Sequence, residues 1–263
     1  VLLDDRDGLL PRERVADRRL ELLAVRERLD GLARERHRKR LAELAARARA
    51  RQLRGGWSLD VKARCPVTGR TWDLLNPVDQ RKAWALFYKT RPKLLVASPP
   101  CTPLSILQNL TPRPKDEEHR KAKEEEYRKA VRMIEFAVDM CTAQHRAGRA
   151  MIFQHPATAT SWRLPSMQRL AGLRGMHSVD FDMCCFGMEV VTASGEKGLA
   201  KKPTRVYTNS AVIDGLLDRR CKRNHEHIPL MGGLAAQAAA YPTALCDAFL
   251  DGLMMEEVHA NEE

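Results

Sequence analysis

Past residue 55, short apolar runs alternate along the chain with longer stretches in which apolar residues recur every three or four positions. The runs predict four strands, at Lys93–Ala97, Ala150–Phe153, Ser178–Cys184 and Arg205–Thr208. The stretches predict four helices, at Glu117–Arg146, Pro165–Ala171, Ala211–Arg219 and Ala235–Leu253. Because strands that alternate with helices favour a mostly parallel sheet, we expect an α/β domain over residues 55–253, followed by an acidic flexible tail at 254–263.

Residues 1–54 have a different pattern and predict a basic helical extension. Between residues 12 and 54 there are 15 Lys/Arg against seven Asp/Glu, and leucines recur at helical spacing. A solvated charged helix or coiled-coil linker explains this pattern, and so does an arm that contacts phosphates. On the second interpretation the contacts come from the densest basic patch, which contains Arg36, Arg38, Lys39 and Arg40.

Composition narrows the class of protein. The 263 residues are 44% hydrophobic, which is enough to bury a sizeable core, and no apolar run approaches the roughly 18–20 residues that a membrane span needs. Membrane, fibrous and wholly disordered classes are therefore excluded. Seven cysteines, an odd number, favour a reducing intracellular compartment over a secreted disulfide scaffold. The net charge of +11 indicates an anionic partner.

Two predicted strands end in segments that contain candidate catalytic or binding residues. The loop Ser98–Ser105 has three prolines around Cys101, so it is stiff and presents the cysteine. The second strand ends in Phe153-Gln154-His155-Pro156. In an α/β sheet, ligands bind beyond the carboxyl ends of strands. Each segment also has a simpler explanation when it is taken separately. Cys101 could be an incidental exposed cysteine and not a nucleophile, and the end of the second strand could be a polar turn without a function.

Six segments in order resemble the cytosine-5 DNA methyltransferase family, in particular the divergent domains of retroelement polyproteins and phages. The segments are Gly56–Asp60, Trp72-Asp73, Ser98–Ser105, Phe153–Pro156, Lys201–Ser210 and Cys221–His227. The resemblance implies a Rossmann-like methyltransferase sheet, incomplete at its first strand, and a DNA substrate in the nucleus. It also implies that other segments of a larger polyprotein are partners.

The family mechanism assigns roles to the matching residues. Cys101 corresponds to the thiolate that adds to C6 of a flipped cytosine, so that C5 can take a methyl group from S-adenosylmethionine. Gln154 stands where the family has a glutamate beside the base, and Arg205 corresponds to the arginine that holds it. The resemblance further implies contacts of Ser105 and Lys202 with nucleic acid. It implies that Asp60, Asp73, Ser98 and Pro100 bind the cofactor.

The sequence departs from the family twice. An amide at Gln154 can hydrogen-bond the base but cannot transfer a proton, which typically costs about 10²–10⁴-fold in rate. The glycine-rich cofactor turn expected before Asp60 has no counterpart, because that region is Arg-rich. We therefore expect a degenerate methyltransferase-like domain. The alternatives are a non-catalytic nucleic-acid-binding remnant and a structural segment of a transposon polyprotein.

A zinc site is a separate hypothesis. Cys221, His225 and His227 offer three ligands within seven residues, and the Cys184-Cys185 pair could donate a fourth. Their spacing is not that of a recognised zinc finger, and adjacent cysteines usually mark packing. An unmetallated polar loop is therefore the favoured interpretation.

The resemblance makes a geometric prediction. Cys101, Gln154 and Arg205 should lie at the same edge of one sheet and face a common cleft.

Overall fold

The computed structural model describes residues 44, 47–48, 50–51, 53, 56–61, 64–65, 68–105, 116–231 and 233–262. The basic patch Arg36, Arg38, Lys39 and Arg40, and most of the predicted extension over 1–54, lie outside the described residues. No helix in the described ranges has both the length and the apolar composition that crossing a membrane requires.

The chain is an α/β structure, as predicted. Its helices are α1 Pro77–Thr90, α2 Glu117–Arg146, α3 Pro165–Ala171, α4 Ala211–Leu217, α5 Leu234–Gln237 and α6 Thr243–Glu262. Its strands are β1 Leu94–Ala97, β2 Ala150–Pro156, β3 His177–Asp182, β4 Glu189–Val191, β5 Lys197–Leu199 and β6 Pro203–Thr208. The predicted strands and helices from residue 93 to 219 are therefore present, with small shifts in their bounds. Helix α1 and the β4–β5 hairpin were not predicted.

The main sheet has the order β1-β2-β6-β3 and is mixed. Strands β1 and β2 are parallel, whereas β6 lies between β2 and β3 and is antiparallel to both. The expectation of a mostly parallel sheet is therefore wrong. The physical reason is that the chain stays at one edge after β3, forms the β4–β5 hairpin and re-enters the sheet from that edge. An apolar run marks a buried strand but not its direction.

This topology brings the candidate functional residues to one edge of the main sheet. Because β1, β2 and β3 run the same way and β6 runs against them, three carboxyl ends and one amino end meet there. We call this the carboxyl edge. It carries the loop after β1 with Cys101, the end of β2 with Gln154 and His155, the end of β3 with Asp182, and Arg205 near the start of β6.

Helices cover both faces of the sheet, and the strands alternate between them. Phe153 and Tyr207 pack in the core on the side of α2, whereas Ile152 and Val206 pack in the core on the side of α4 and α6. Helix α2 begins at the N-cap Asp116, whose carboxylate accepts from the His119 N–H. Gly148, two residues beyond its last residue, has a φ of +66° and lets the chain turn into β2.

The C-terminal region differs from its prediction. The single helix expected at 235–253 is divided into α5 and α6 around Tyr241-Pro242, because proline cannot continue a helix. Helix α6 then continues to Glu262. Residues 254–262 are therefore helical rather than a flexible tail, which agrees with the strong helix propensity of the Met, Glu and Ala residues there.

The described end of the basic extension packs on α6. The Arg47 guanidinium donates two 2.7 Å hydrogen bonds to the Asp247 carboxylate, and Arg51 contacts both Asp247 and Asp251 at 2.8 Å. Ala48 is buried. A solvated charged helix would pack little against the domain, but at these positions the basic residues have acidic partners on α6. The boundary at residue 55 stays a prediction.

Helices α4 and α6 approach closely at Gly252, which predicts opposite effects for two glycine-to-alanine changes. A Cβ at Gly252 would lie 2.6 Å from Cγ1 of the fully buried Ile213, so we expect Gly252→Ala to destabilise the fold by about 1–3 kcal/mol. Gly215, exposed on α4, has nothing within 4 Å of its added Cβ. Gly215→Ala should therefore raise stability by about 0.5–1 kcal/mol. Urea denaturation measures both; equal effects of the two changes would contradict this packing.

Candidate active site

Cys101 lies in a stiff loop at the carboxyl edge. Strand β1 ends at Ala97, and Ser98-Pro99-Pro100 lead to Cys101, which precedes a short 3-10 turn at Thr102–Leu104. The Leu104 N–H donates to the Cys101 carbonyl at 2.9 Å, and the Leu104 side chain is buried. The cysteine itself is half-buried. The prolines and the anchored turn therefore hold Cys101 in one place with its side chain partly accessible.

Hydrogen bonds join this loop to the end of β2. Ser98 Oγ donates to Gln154 Oε1 at 2.9 Å, and His155 Nε2 lies 3.0 Å from the Pro99 carbonyl oxygen. Thr160 Oγ1 adds a third bond, to the Leu104 carbonyl at 3.0 Å. The two segments that the sequence analysis singled out are therefore adjacent and fixed to each other.

Gln154 is buried and oriented by two hydroxyl groups. Its Oε1 accepts from Ser98 Oγ and, at 3.1 Å, from the Tyr241 hydroxyl, and the residue is only 3% exposed. Because both bonds go to the oxygen, the amide N–H groups at Nε2 are turned away from these hydroxyls. Sequence reasoning did not identify Tyr241 as a partner, although a buried tyrosine hydroxyl usually has one.

His155 has a positioning role. Its Nδ1 lies 2.7 Å from Ser161 Oγ, and its Nε2 faces the Pro99 carbonyl. A carbonyl can only accept, so Nε2 donates to Pro99 in this arrangement. The buried ring locks the Cys101 loop to β2.

Arg205 lies at the carboxyl edge, as predicted, but on the other face of the sheet from Gln154. In the antiparallel register, Arg205 pairs with His155 and with Asp180, whereas Gln154 pairs with Val206. Paired residues share a face and consecutive residues alternate between faces. The expectation that Arg205 faces a common cleft with Gln154 is therefore wrong, because the direction and register of β6 turn its side chain away.

The Arg205 side chain is already engaged. Its Nε and Nη2 donate to the Asp180 carboxylate at 2.6 and 3.0 Å, beside an open cavity of about 340 Å³. Arg220 approaches the same carboxylate at 3.2 Å. Partial burial acts to raise the pKa of Asp180, but the two guanidinium groups outweigh it and hold the pKa below its ordinary value. The Arg205 guanidinium is therefore bound to Asp180, and it does not hold a nucleobase in this arrangement.

Three of the remaining predicted nucleic-acid and cofactor residues make hydrogen bonds within the chain. Lys202 Nζ donates to the Ala238 carbonyl at 2.8 Å, and the Ser105 N–H donates to the Thr102 carbonyl at 3.2 Å. Asp73 Oδ1 accepts from the Leu75 N–H at 3.0 Å in the turn before α1.

Asp60 and Ser98 are placed by backbone and side-chain bonds. The Asp60 carbonyl accepts from the Trp72 N–H at 2.8 Å, which brings the segments of Asp60 and Asp73 together. Ser98 is committed to Gln154, and Pro100 is exposed. Within the described ranges, no strand precedes β1, so no strand-to-helix glycine turn accompanies these residues.

The metal candidates lie together at the β3 end of the carboxyl edge. Cys221 Sγ is 3.6 Å from His225 Nε2 and 3.5 Å from His227 Nε2. The Cys221 N–H donates to Asp182, the last residue of β3, at 3.0 Å.

The chain matches no protein-family model, no curated protein and no solved structure. The functional evidence is therefore the arrangement of its own side chains.

The Asp180–Arg205 pair predicts a pH-dependent contribution to stability. Because the folded-state pKa of Asp180 is lowered, its contribution should be complete above the unfolded pKa of about 3.9 and disappear as pH falls through the folded value. Asp180→Asn should cost about 1 kcal/mol at neutral pH and nothing in strong acid. Urea denaturation at several pH values measures this. Asp139→Asn, on the exposed side of α2, is the control, and a cost of Asp180→Asn that persists in strong acid would contradict the assignment.

Proposed function

We propose that the carboxyl edge is a cytosine-5 DNA methyltransferase-like site in which Cys101 adds to a flipped cytosine and Gln154 binds its ring. The observation that carries the proposal is the pair of hydrogen bonds, Ser98–Gln154 at 2.9 Å and His155–Pro99 at 3.0 Å, that hold the cysteine loop against the end of β2. The family mechanism requires these two segments to act on one base.

Cys101 supplies the chemistry. Its thiolate attacks C6 of the pyrimidine, forming a carbon–sulfur bond, and the electron pair of the C5=C6 double bond moves onto C5. When no methyl group is transferred, C5 takes a proton from water, and the product is a dihydropyrimidine attached to the protein. Activation comes from any group that withdraws electron density from the ring.

Gln154 is suited to bind the ring but not to protonate it. With Oε1 held by Ser98 and Tyr241, the Nε2 hydrogens are the donors left for a ligand, and N3 and O2 of cytosine are acceptors. A hydrogen bond to N3 draws electron density from C6 without proton transfer. The site therefore accounts for binding and weak activation, which is the behaviour of a degenerate enzyme.

The described residues do not fit S-adenosylmethionine. Asp60 and Asp73 belong to neighbouring segments, but the structure as far as it is described places no strand or glycine turn around them to cradle the donor. The addition of Cys101 to the ring needs no cofactor, and Arg205 lies outside the base site because it is bound to Asp180 on the other face.

The proposal extends to the type of sheet, the origin of the chain, its partners and its location. A Rossmann-like sheet, incomplete at its first strand, is consistent with the parallel β1–α2–β2 unit. A mobile-element or phage origin, DNA as partner, association with other polyprotein segments and a nuclear location follow from the resemblance. The alternative is a non-catalytic nucleic-acid-binding domain. Formation of a covalent adduct with DNA distinguishes the proposed site from this alternative.

The proposal predicts a covalent adduct with DNA that contains zebularine, whose ring is more electrophilic than cytosine. Incubation of the full chain with a zebularine single strand should give one adduct per chain by intact-mass spectrometry, located at Cys101 by peptide mapping. Cys101→Ser should abolish it, since a hydroxyl is a far weaker nucleophile. Cys185→Ser, a change at another half-buried cysteine, should leave it intact. A folded chain that forms no adduct but still binds DNA supports the non-catalytic alternative.

The amide of Gln154 makes a second prediction. Gln154→Leu keeps the approximate side-chain volume but removes the donors, so we expect the rate of adduct formation to fall about tenfold or more. Gln154→Glu should keep adduct formation yet give no methyl transfer with radiolabelled S-adenosylmethionine, because it restores an acid and not a cofactor site. A rate unchanged in Gln154→Leu would remove Gln154 from the base site. Methyl transfer by the unmodified chain would show that a segment outside the described residues binds the donor.

A further inference from the structure

Four sulfur and nitrogen ligands converge at the β3 end of the carboxyl edge. They are Cys184, in the 3-10 turn Met183–Phe186 directly after β3, and Cys221, His225 and His227, in the loop between α4 and α5. One ligating atom of each residue lies within 4.8 Å of all the others. Two segments that are nearly forty residues apart in sequence thus contribute to one cluster.

We propose that Cys184, Cys221, His225 and His227 bind a structural zinc ion. In a tetrahedral site with Zn–S near 2.3 Å and Zn–N near 2.05 Å, a sulfur and a nitrogen ligand are about 3.6 Å apart. The observed separations from Cys221 Sγ are 3.6 Å to His225 Nε2 and 3.5 Å to His227 Nε2. Both imidazoles face Cys221 Sγ with their Nε2 atoms.

The atoms around the cluster support a thiolate and an oriented imidazole. The Arg223 N–H donates to Cys221 Sγ at 3.4 Å, a bond that stabilises negative charge on sulfur. The other nitrogen of His225, Nδ1, lies 3.1 Å from Asn224 Oδ1, an acceptor that would hold the Nδ1 proton and leave Nε2 to bind a metal. Arg223 also has a φ of 58°, a left-handed conformation that is uncommon for arginine and folds the loop around Cys221.

The donor set selects the metal and its role. Two thiolates and two imidazoles suit zinc and exclude calcium and magnesium, which prefer oxygen ligands. With all four positions taken by protein, no position remains for water or substrate, so the ion is structural. Two thiolates also neutralise its charge.

A zinc ion would fix the middle of the loop that carries three of the ligands. Residues 218–233 join α4 to α5 without a helix or strand at any described position, and ordered loops of this length are usually functional. Its ends are fixed by the bond of the Asp182 N–H to the Arg219 carbonyl, at 3.1 Å, and of the Ile228 N–H to the Leu199 carbonyl, at 2.8 Å. Between them, the zinc would connect the loop to Cys184 and so to the end of β3.

The test measures metal in the full chain, expressed with zinc and purified without chelator. Plasma emission spectrometry should find one zinc per chain. Replacement by Co²⁺ should give the visible absorption of a tetrahedral ion together with a thiolate-to-cobalt charge-transfer band. Cys184→Ser and His227→Ala should each lose the ion or bind it at least tenfold more weakly, as judged by competition with a chromophoric chelator.

Two controls separate metal binding from misfolding. Cys185→Ser changes the neighbouring cysteine, which is not in the cluster, and should keep one zinc. His227→Cys replaces one ligand by another and should also keep it. A wild-type chain that is folded by circular dichroism, has free thiols and binds neither Zn²⁺ nor Co²⁺ would overturn the proposal. So would a Cys184–Cys221 disulfide in protein purified under reducing conditions, or loss of zinc in Cys185→Ser equal to that in Cys184→Ser.

Discussion

The insertion of β6 between β2 and β3, antiparallel to both, is the constraint on which the site depends. It fills the gap between two strands that run the same way, and it brings the amino end of β6 to the edge where β1, β2 and β3 end. Cys101 and Gln154 share this edge because β1 and β2 are parallel, and the pairing of β6 adds Arg205 and sets the direction of β3, which ends in Asp182. A parallel strand in the same place would carry its first residues to the far edge.

The same pairing divides the edge into two environments. On one face, Gln154 is buried and accepts hydrogen bonds from the hydroxyls of Ser98 and Tyr241. On the other, Arg205 and Asp180 form an ion pair beside an open cavity. A neutral, buried amide donor is compatible with a flipped pyrimidine, whereas the ion pair keeps Arg205 from the role that the resemblance implies for it. Sharing a sheet edge is therefore not sufficient for residues to act on the same ligand.

Much of the fold could be predicted from local signals, and much of the site geometry could not. Helix α3 has the predicted bounds, because Pro165 begins it and Gly172 follows its last residue. The adjacency of Cys101 and Gln154 followed from the rule that parallel strands end at one edge, which holds for β1 and β2. The face on which Arg205 lies depends on the direction and register of β6, and neither is encoded in the run of apolar residues around it. The place of Cys184 beside Cys221 likewise depends on how a long loop folds back. The candidate ligands could therefore be identified from the sequence, but the distances between them could not.

The central claim is that one pyrimidine ring contacts Cys101 and Gln154 at the same time. A crystal structure of the chain bound to a short zebularine-containing oligonucleotide tests it most directly. The account predicts a bond between Cys101 Sγ and C6, Gln154 Nε2 within hydrogen-bond distance of N3 or O2, and Arg205 still paired with Asp180. A base bound beside Arg205 with the Asp180 pair broken, or DNA bound away from the carboxyl edge, would contradict it.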